Sequence, residues 1–289
     1  MRPLMQRVAA VHDLSGFGGG SLTAVISILS AMGIQVCSLP TAVLSTHTGG
    51  FADFHFRDLT DDMAQIIAHW QRLGLNFSGV YSGFLGSAQQ IASVLHLFDT
   101  CTSSTTLRVV DPVLGDDGQL YATMTPDMVT EMRTLVGQAD VITPNITEAA
   151  LLLGQPLTPQ MSQDQIKNWV VSLADLGPRQ VIITSVPEED MRGTAVVAFD
   201  RETGQFWKVG CSYIPAHYPG TGDIFASVIT GALLQGDSLP LSLDRAVQFV
   251  SLTIRATFGH NVPEREGVLL ERVLPCLNAP VSLSSFELL

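Results

Sequence analysis

The chain has 289 residues, 46% of them hydrophobic, and a formal net charge of −12. This is enough apolar material for one large core, and the expectation is a single domain over residues 1–289. An acidic chain without clustered Lys and Arg is excluded from the proteins held on nucleic acid by phosphate contacts.

Lys167 and Lys208 are the only lysines, so neither a GxxxxGK[ST] phosphate loop nor a VAIK kinase strand can be written anywhere in the chain. Cys37, Cys101, Cys211 and Cys276 are far apart and form no CxxC. They read as buried thiols of a reducing compartment rather than as a zinc or redox site. No apolar run approaches the roughly 18 residues of a membrane span, and residues 1–10 hold no signal-peptide core. The expectation is therefore a cytoplasmic protein that binds no membrane.

In chain order, short apolar runs end in Gly, Pro, Asp or Asn: VAAV (8–11), QVCSLP (35–40), GVYSGF (79–84), LRVVDP (107–112), DVITPN (140–145) and QVIITS (180–185). Their length and two-sided hydrophobicity predict buried parallel strands. Helical patterns separate them. In SLTAVISILSAMG, Ser21 is positioned to cap, Leu22, Val25, Ile26 and Leu29 share a face, and Gly33 stops the helix. TAVVAFD and QFWKVG, joined by RETG, predict a hairpin attached to the sheet. Strand alternating with helix implies an α/β protein built on one mostly parallel sheet.

Ligands of such sheets sit outside the carboxyl ends of the strands. The residues placed there are Asp13, Ser15, His47, Thr48, Phe84, Asp111, Asp116, Thr143, Asn145, Glu148, Thr184 and Ser185. DPVLGDDG puts Asp111 and Asp116 on a strand exit. In TPNITEAALLLG, Asn145 and Glu148 lie three apart at a helix start, where they can face one cavity or form a capping box. Hard oxygen ligands on loops suit Mg²⁺, which keeps several waters and joins proteins largely through substrate phosphates.

PGTGDIFASVITGALLQG adds a sharper pattern. Gly220, Thr221 and Gly222 open a helix whose free N–H groups form an anion hole, and Asp223 stands within it. Taken alone, Asp223 reads as a first-turn acid favoured by the helix dipole. Beside oxygen-rich loops on the same edge, it matches what phosphoryl transfer to an alcohol requires: a hole for phosphate and a base for the hydroxyl proton.

The motifs HDLSGFGGGS, LSTHTGGF, DPVLGDDG, TPNITEA and GTGDIFAS, in this order over about residues 8 to 270, resemble the ribokinase-like superfamily and, within it, the pyridoxal and pyridoxamine kinases. The resemblance implies a three-layer α/β/α fold with a minimal lid. It further implies ATP-dependent phosphorylation of the 5′-hydroxymethyl group of a vitamin B6 pyridine. Asp223 would be the base and Gly220, Thr221 and Gly222 the hole. Asp111, Asp116, Asn145 and Glu148 would organise Mg²⁺ and the ATP phosphates, with Asp116 and Glu148 nearest the metal. Thr184 and Ser185 would meet ATP, at a place where such kinases often require K⁺. His47, Thr48 and Tyr121 would lie near the pyridine substrate, together with Asp13, Ser15 and Phe84. Family members are commonly homodimers.

Some residues depart from that pattern. Val11 stands where pyridoxal kinases commonly carry a serine, and Phe84 where many have tyrosine. The Asp13-x-Ser15-Gly16 pattern is closer to hydroxymethylpyrimidine kinases, so a pyrimidine alcohol is the alternative substrate. A noncatalytic ligand-binding member of the fold would have lost the base or the hole, and both are retained here. A dinucleotide-binding reading of GFGGGS fails because Ser21 occupies the place of the last glycine in GxGxxG.

Overall fold

The computed structural model describes residues 5–158, 160–188, 193–211, 214–260, 262–278 and 286–289. β1 (Arg7–Ser15) leads through a glycine loop into α1 (Ser21–Ala31). β2 (Gln35–Leu44), β3 (Phe56–Asp58), α2 (Thr60–Arg72), β4 (Gly79–Ser82), α3 (Ala88–Thr100) and β5 (Leu107–Val110) follow. A small hairpin, β6 (Gly115–Asp116) and β7 (Gln119–Leu120), precedes α4 (Pro126–Val136), β8 (Val141–Ile142), α5 (Ile146–Leu153) and α6 (Gln163–Ala174). The C-terminal part holds β9 (Gln180–Pro187), β10 (Thr194–Asp200), β11 (Gln205–Cys211), α7 (Thr221–Gln235), α8 (Leu239–Phe258) and β12 (Phe286–Leu288).

Local chemistry sets many of these boundaries. The Ser87 hydroxyl accepts the Gln90 N–H at the start of α3, and Thr125 caps α4 with Pro126 at its first position. Ser162 and Gln165 form a reciprocal capping box on α6. Gly33 stops α1 as expected, with φ +77°. Ser21 does not cap that helix. It is the first helical residue, with φ +55°, and Gly20 occupies the cap position without a side-chain acceptor. The buried face of α1 also uses Ile28, and Ile26 packs half-buried against the same core.

The main sheet has the strand order β12-β11-β10-β9-β8-β5-β4-β1-β2-β3. Its centre, from β9 across to β2, is parallel, while β10, β11, β12 and β3 pair antiparallel at the two sides. The predicted hairpin is therefore β10–β11, attached to β9. Along β1 the side chains alternate between two cores, Val8 and Ala10 into one and Ala9 and Val11 into the other. That two-sided burial explains why the run VAAV is continuously apolar. One core is closed by α2 to α6 and the other by α1, α7 and α8, which makes the three-layer α/β/α arrangement. Parallel strands joined by helices place every strand carboxyl end and every following helix N-terminus on one edge.

Candidate active site

A cavity of about 980 Å³ opens on that edge. Its walls carry His12 and Asp13 from β1, Asp111 beyond β5, Asn145 and Glu148 from the start of α5, Thr184 and Ser185 from β9, and residues 220–223 from the start of α7. Among the described residues that line it, none is a lysine or arginine. An anionic ligand would be met, among the described residues, by main-chain N–H groups, by a cation it brings, or by histidine.

The α7 start is shaped by close backbone approach. Gly220 has φ +86°, and a Cβ added there would lie 3.0 Å from the Gly20 Cα. The two glycines let the N-termini of α1 and α7 converge. Asp223, in the first turn of α7, accepts the Ser21 N–H through Oδ2 at 2.7 Å. The carboxylate of one helix thus supplies the missing cap of the other, which accounts for the absence of a side-chain cap at Gly20. The Ser21 left-handed conformation aims that N–H.

The other oxygen of Asp223 meets a residue that the motif reading passed over. His12 Nε2 lies 2.9 Å from Asp223 Oδ1, and His12 Nδ1 lies 2.8 Å from Asp13 Oδ1. The Asp13 N–H also points at Nδ1 as a donor, at 2.9 Å, so Nδ1 accepts from that amide in a neutral ring and donates to Asp13 Oδ1 in a charged one. One carboxylate oxygen on each ring nitrogen is the pattern of an imidazolium donating twice. Burial alone would lower the His12 pKa, but the charges and hydrogen bonds of Asp223 and Asp13 outweigh it and push the value up to about 10. For Asp13, burial acts upward, yet the His12 bond and charge and the Ser15 and Ser21 hydroxyls hold it below its ordinary value. Ser15 is buried at 2% exposure and donates to Asp13 Oδ2 at 2.7 Å. It stands behind Asp13 and is not part of the cavity wall, so of the expected Asp13–Ser15 pair only Asp13 faces a ligand.

Opposite Asp223 lies the acidic side. The Thr143 hydroxyl donates to Asp111 Oδ1 at 3.0 Å. Asn145 and Glu148 form the capping box of α5: the Asn145 side-chain oxygen accepts the Glu148 N–H at 2.8 Å, and Glu148 Oε2 accepts the Asn145 N–H at 2.8 Å. Glu148 Oε1 also accepts the Leu114 N–H at 3.1 Å, tying α5 to the DPVLG loop. The capping and cavity-lining readings of this pair thus hold together. Asp116 ends β6, and the turn after it uses Asp117 and Gly118 at φ +50° and +75°, the left-handed pair that a tight hairpin requires.

Burial, the Asp223 charge and their balance against Thr143 and His12 raise the Asp111 pKa to about 7. Burial and Asp111 push Glu148 well above its ordinary value despite its two amide donors. Among the described residues no three His, Cys, Asp or Glu side chains could hold a metal ion by themselves. The donor chemistry fits Mg²⁺ all the same. Asp111, Asp116 and Glu148 offer hard oxygens, and the raised pKa values of Asp111 and Glu148 mark a crowding of carboxyls that a cation with its water and phosphate ligands would relieve.

Thr184 and Ser185 are brought to the cavity by a bulge. Between the pairs Ile183–Val197 and Val186–Ala195, two residues of β9 oppose Val196 alone on β10. Ser185 takes φ +57°, so the strand bends and both polar side chains reach the wall. Close by, the wall is apolar, with Val196, Ile214, Val247, Val250 and Ile254. No motif pointed to these residues, because scattered aliphatics look like ordinary core.

His47, Thr48, Phe84 and Tyr121 all line the cavity. Both ring nitrogens of His47 are already engaged: Nδ1 accepts the Gly49 N–H at 3.0 Å and Nε2 donates to the Arg265 carbonyl at 2.8 Å. The histidine stitches loops together and presents its ring surface rather than a free nitrogen. Gly18 makes room for that ring, since a Cβ there would collide with it.

A three-layer α/β/α fold, with a glycine-rich helix start and a carboxylate at one sheet edge, is that of the ribokinase-like class of kinases. The family model for phosphomethylpyrimidine kinase matches residues 15–266. A Bacteroides thetaiotaomicron protein provisionally named a phosphomethylpyrimidine kinase is 52% identical, with a TM-score of 0.97 over 100% of this chain and 99% of that one. One crystal form of that protein contains pyridoxal. Pyridoxal kinase from Lactobacillus plantarum is 36% identical, with a TM-score of 0.87 over 96% of this chain and 98% of that one. The hydroxymethylpyrimidine/phosphomethylpyrimidine kinase of Bacillus subtilis is 27% identical over 243 residues, covering 84% of this chain and 86% of its own. The chain belongs to the phosphomethylpyrimidine kinase family, in the ribokinase-like group that includes the pyridoxal kinases.

Proposed function

We propose that this protein is an ATP-dependent kinase that phosphorylates the 5′-hydroxymethyl group of pyridoxal, pyridoxamine or pyridoxine. The observation that carries the reading is Asp223, a carboxylate fixed by two hydrogen bonds in the first turn of a helix whose N-terminal amides face the same cavity. The occurrence of pyridoxal in a crystal of the 52% identical Bacteroides protein supports the pyridine substrate.

In this reading the alcohol lies between Asp13, His47, Thr48, Phe84 and Tyr121, and ATP extends from Thr184 and Ser185 toward residues 220–222. The aliphatic wall around Val196, Ile214 and Val250 takes the adenine. Asp223 accepts the hydroxyl proton as the oxygen bonds to the γ-phosphorus; the bond from that phosphorus to the β-phosphate bridging oxygen breaks, and ADP leaves. Main-chain N–H groups at Gly220, Thr221 and Gly222 hold the transferring group's charge. Mg²⁺ bound with ATP beside Asp111, Asp116 and Glu148 would neutralise phosphate charge. A K⁺ requirement near Thr184 and Ser185 belongs to the same proposal.

A pyrimidine alcohol is the second reading, favoured by the family model and the Bacillus subtilis relative. Incubation with ATP, Mg²⁺ and each alcohol in turn, followed by detection of the phosphate ester, separates the two. Phosphorylation of hydroxymethylpyrimidine without turnover of any B6 vitamer overturns the substrate assignment. Asp223→Ala tests the mechanism: kcat should fall about 10²–10⁴-fold, the usual contribution of a general base, and full turnover by this variant would refute the role.

A further inference from the structure

His12 is a buried titratable group that takes no part in the bond changes above. It reaches Asp223 at 2.9 Å and Asp13 at 2.8 Å, with 3% exposure. The surroundings are built to hold its ring. Gly83, just past β4, lies against it, and a Cβ at that position would collide with the imidazole. Tyr81 of β4 meets it edge-on with ring centroids 6.4 Å apart. Ser15 and the Ser21 amide fix the outer oxygens of the two carboxylates.

We propose that His12 is the positioning residue for Asp223, holding its carboxylate by Oδ1 in the rotamer that faces the cavity and balancing its charge in a wall otherwise lined by acids. This inference rests on the kinase reading and deepens it. The charged and titratable groups facing His12 are Asp13 on its own strand, Asp223 from α7 and Tyr81 from β4, with Asp111 acting from beyond β5. Asp13 anchors the far side of the ring, so orientation passes from Asp13 through His12 to Asp223. Ser21 fixes the second oxygen, and two donors on two oxygens leave the carboxylate one orientation.

His12→Ala should lower kcat about 10–100-fold while KM for ATP and for the alcohol stays within about threefold, the signature of lost orientation rather than lost binding. His12→Gln, whose amide can still donate to Oδ1, should recover at least part of that loss. In an Asp223→Asn background His12→Ala should cost nothing further. Gly83→Ala, which removes no hydrogen-bonding group but displaces the ring, should reproduce the kcat loss and serves if His12→Ala does not fold. Equal losses with and without Asp223, or an unchanged kcat in both His12→Ala and Gly83→Ala, would overturn the proposal.

NMR titration of the ¹⁵N-labelled ring separates this from the functional reading. If no alcohol is phosphorylated by the unmodified protein, the kinase assignment fails, yet the pairing is still decided. Both His12 ring nitrogens should stay protonated through pH 8, and Asp223→Asn should bring the titration midpoint down by more than one pH unit. A ring that loses its proton below pH 7 in the unmodified protein refutes the pairing.

Discussion

Gly220→Ala perturbs the point where the two helix starts meet. The residue has φ +86°, a conformation that costs an L side chain roughly 1–2 kcal/mol. Its new Cβ would stand 3.0 Å from the Gly20 Cα, and the neighbour is backbone, which cannot rotate away. Together these give a loss of about 2 kcal/mol, roughly 4–8 °C in melting temperature. The kinetic effect should be larger than the thermal one. Pushing Gly20 outward pulls the Ser21 N–H from Asp223 Oδ2, now at 2.7 Å, and tilts the amides that would meet phosphate. Losing one hole donor typically lowers kcat by about 10²–10³-fold. Gly33→Ala is the matched control: it has φ +77° with nothing within 4 Å of an added Cβ, so it carries the backbone strain far from the cavity. Thermal melts and steady-state kinetics of both variants make the comparison. If Gly220→Ala melts lower but keeps kcat within threefold of Gly33→Ala, the close approach is structural only and the anion-hole reasoning fails.

Two further predictions concern charge and strain. Asp111 has a folded pKa of about 7 against 3.8 in the unfolded chain, so its neutral form is favoured by folding; the stability it contributes is present below pH 3.8 and is lost as pH rises through 7. Asp111→Asn mimics that neutral form. In metal-free, nucleotide-free melts its advantage should be near zero at pH 3.5, grow between pH 4 and 7, and level off by pH 8, while kcat falls; an advantage that shrinks with pH refutes the sign. Ser185→Gly removes the cost of φ +57° on a side-chain residue and should gain roughly 0.5–1 kcal/mol in melting experiments. The lost hydroxyl should raise KM for ATP several-fold, and an unchanged KM would remove Ser185 from the nucleotide site.

Much of the layout was legible because its causes are local. Six apolar runs became strands of the central sheet since each is short, β-rich and closed by a turn residue, although DVITPN contributes only Val141–Ile142 to its strand. RETG marked the β10–β11 hairpin, and Thr125-Pro126 and Ser162-Gln165 carry their own capping chemistry. The short partners β3 and β12 escaped notice. Strands of three residues gain their identity from the neighbour they pair with, not from any periodicity of their own.

The candidate site divides in the same way. Asp223, Asn145, Glu148 and the glycines at 220 and 222 stand out because a helix start demands particular residue types within a few positions. His12 did not, since a lone histidine at a strand end has no spacing to mark it, and its partner lies 211 positions away. Ser21 was expected to cap through its side chain, and it meets Asp223 through its main-chain N–H instead. Ser15 had the composition of a ligand contact and shares its strand face with Asp13, two positions earlier, yet the packing buried it and turned its hydroxyl onto Asp13.

By itself, then, the sequence determined the α/β class, the order of the strands along the chain, and the stretch GTGD as a glycine-rich helix start with an acid inside it, because propensity, capping and glycine conformation act over a few residues. Only the tertiary structure decided that the acid would be clasped between His12 and the amide of a second helix. Such a clasp needs two backbones to come within van der Waals contact at Gly20 and Gly220, and close approach between segments some 200 residues apart is a property of packing that no local pattern encodes.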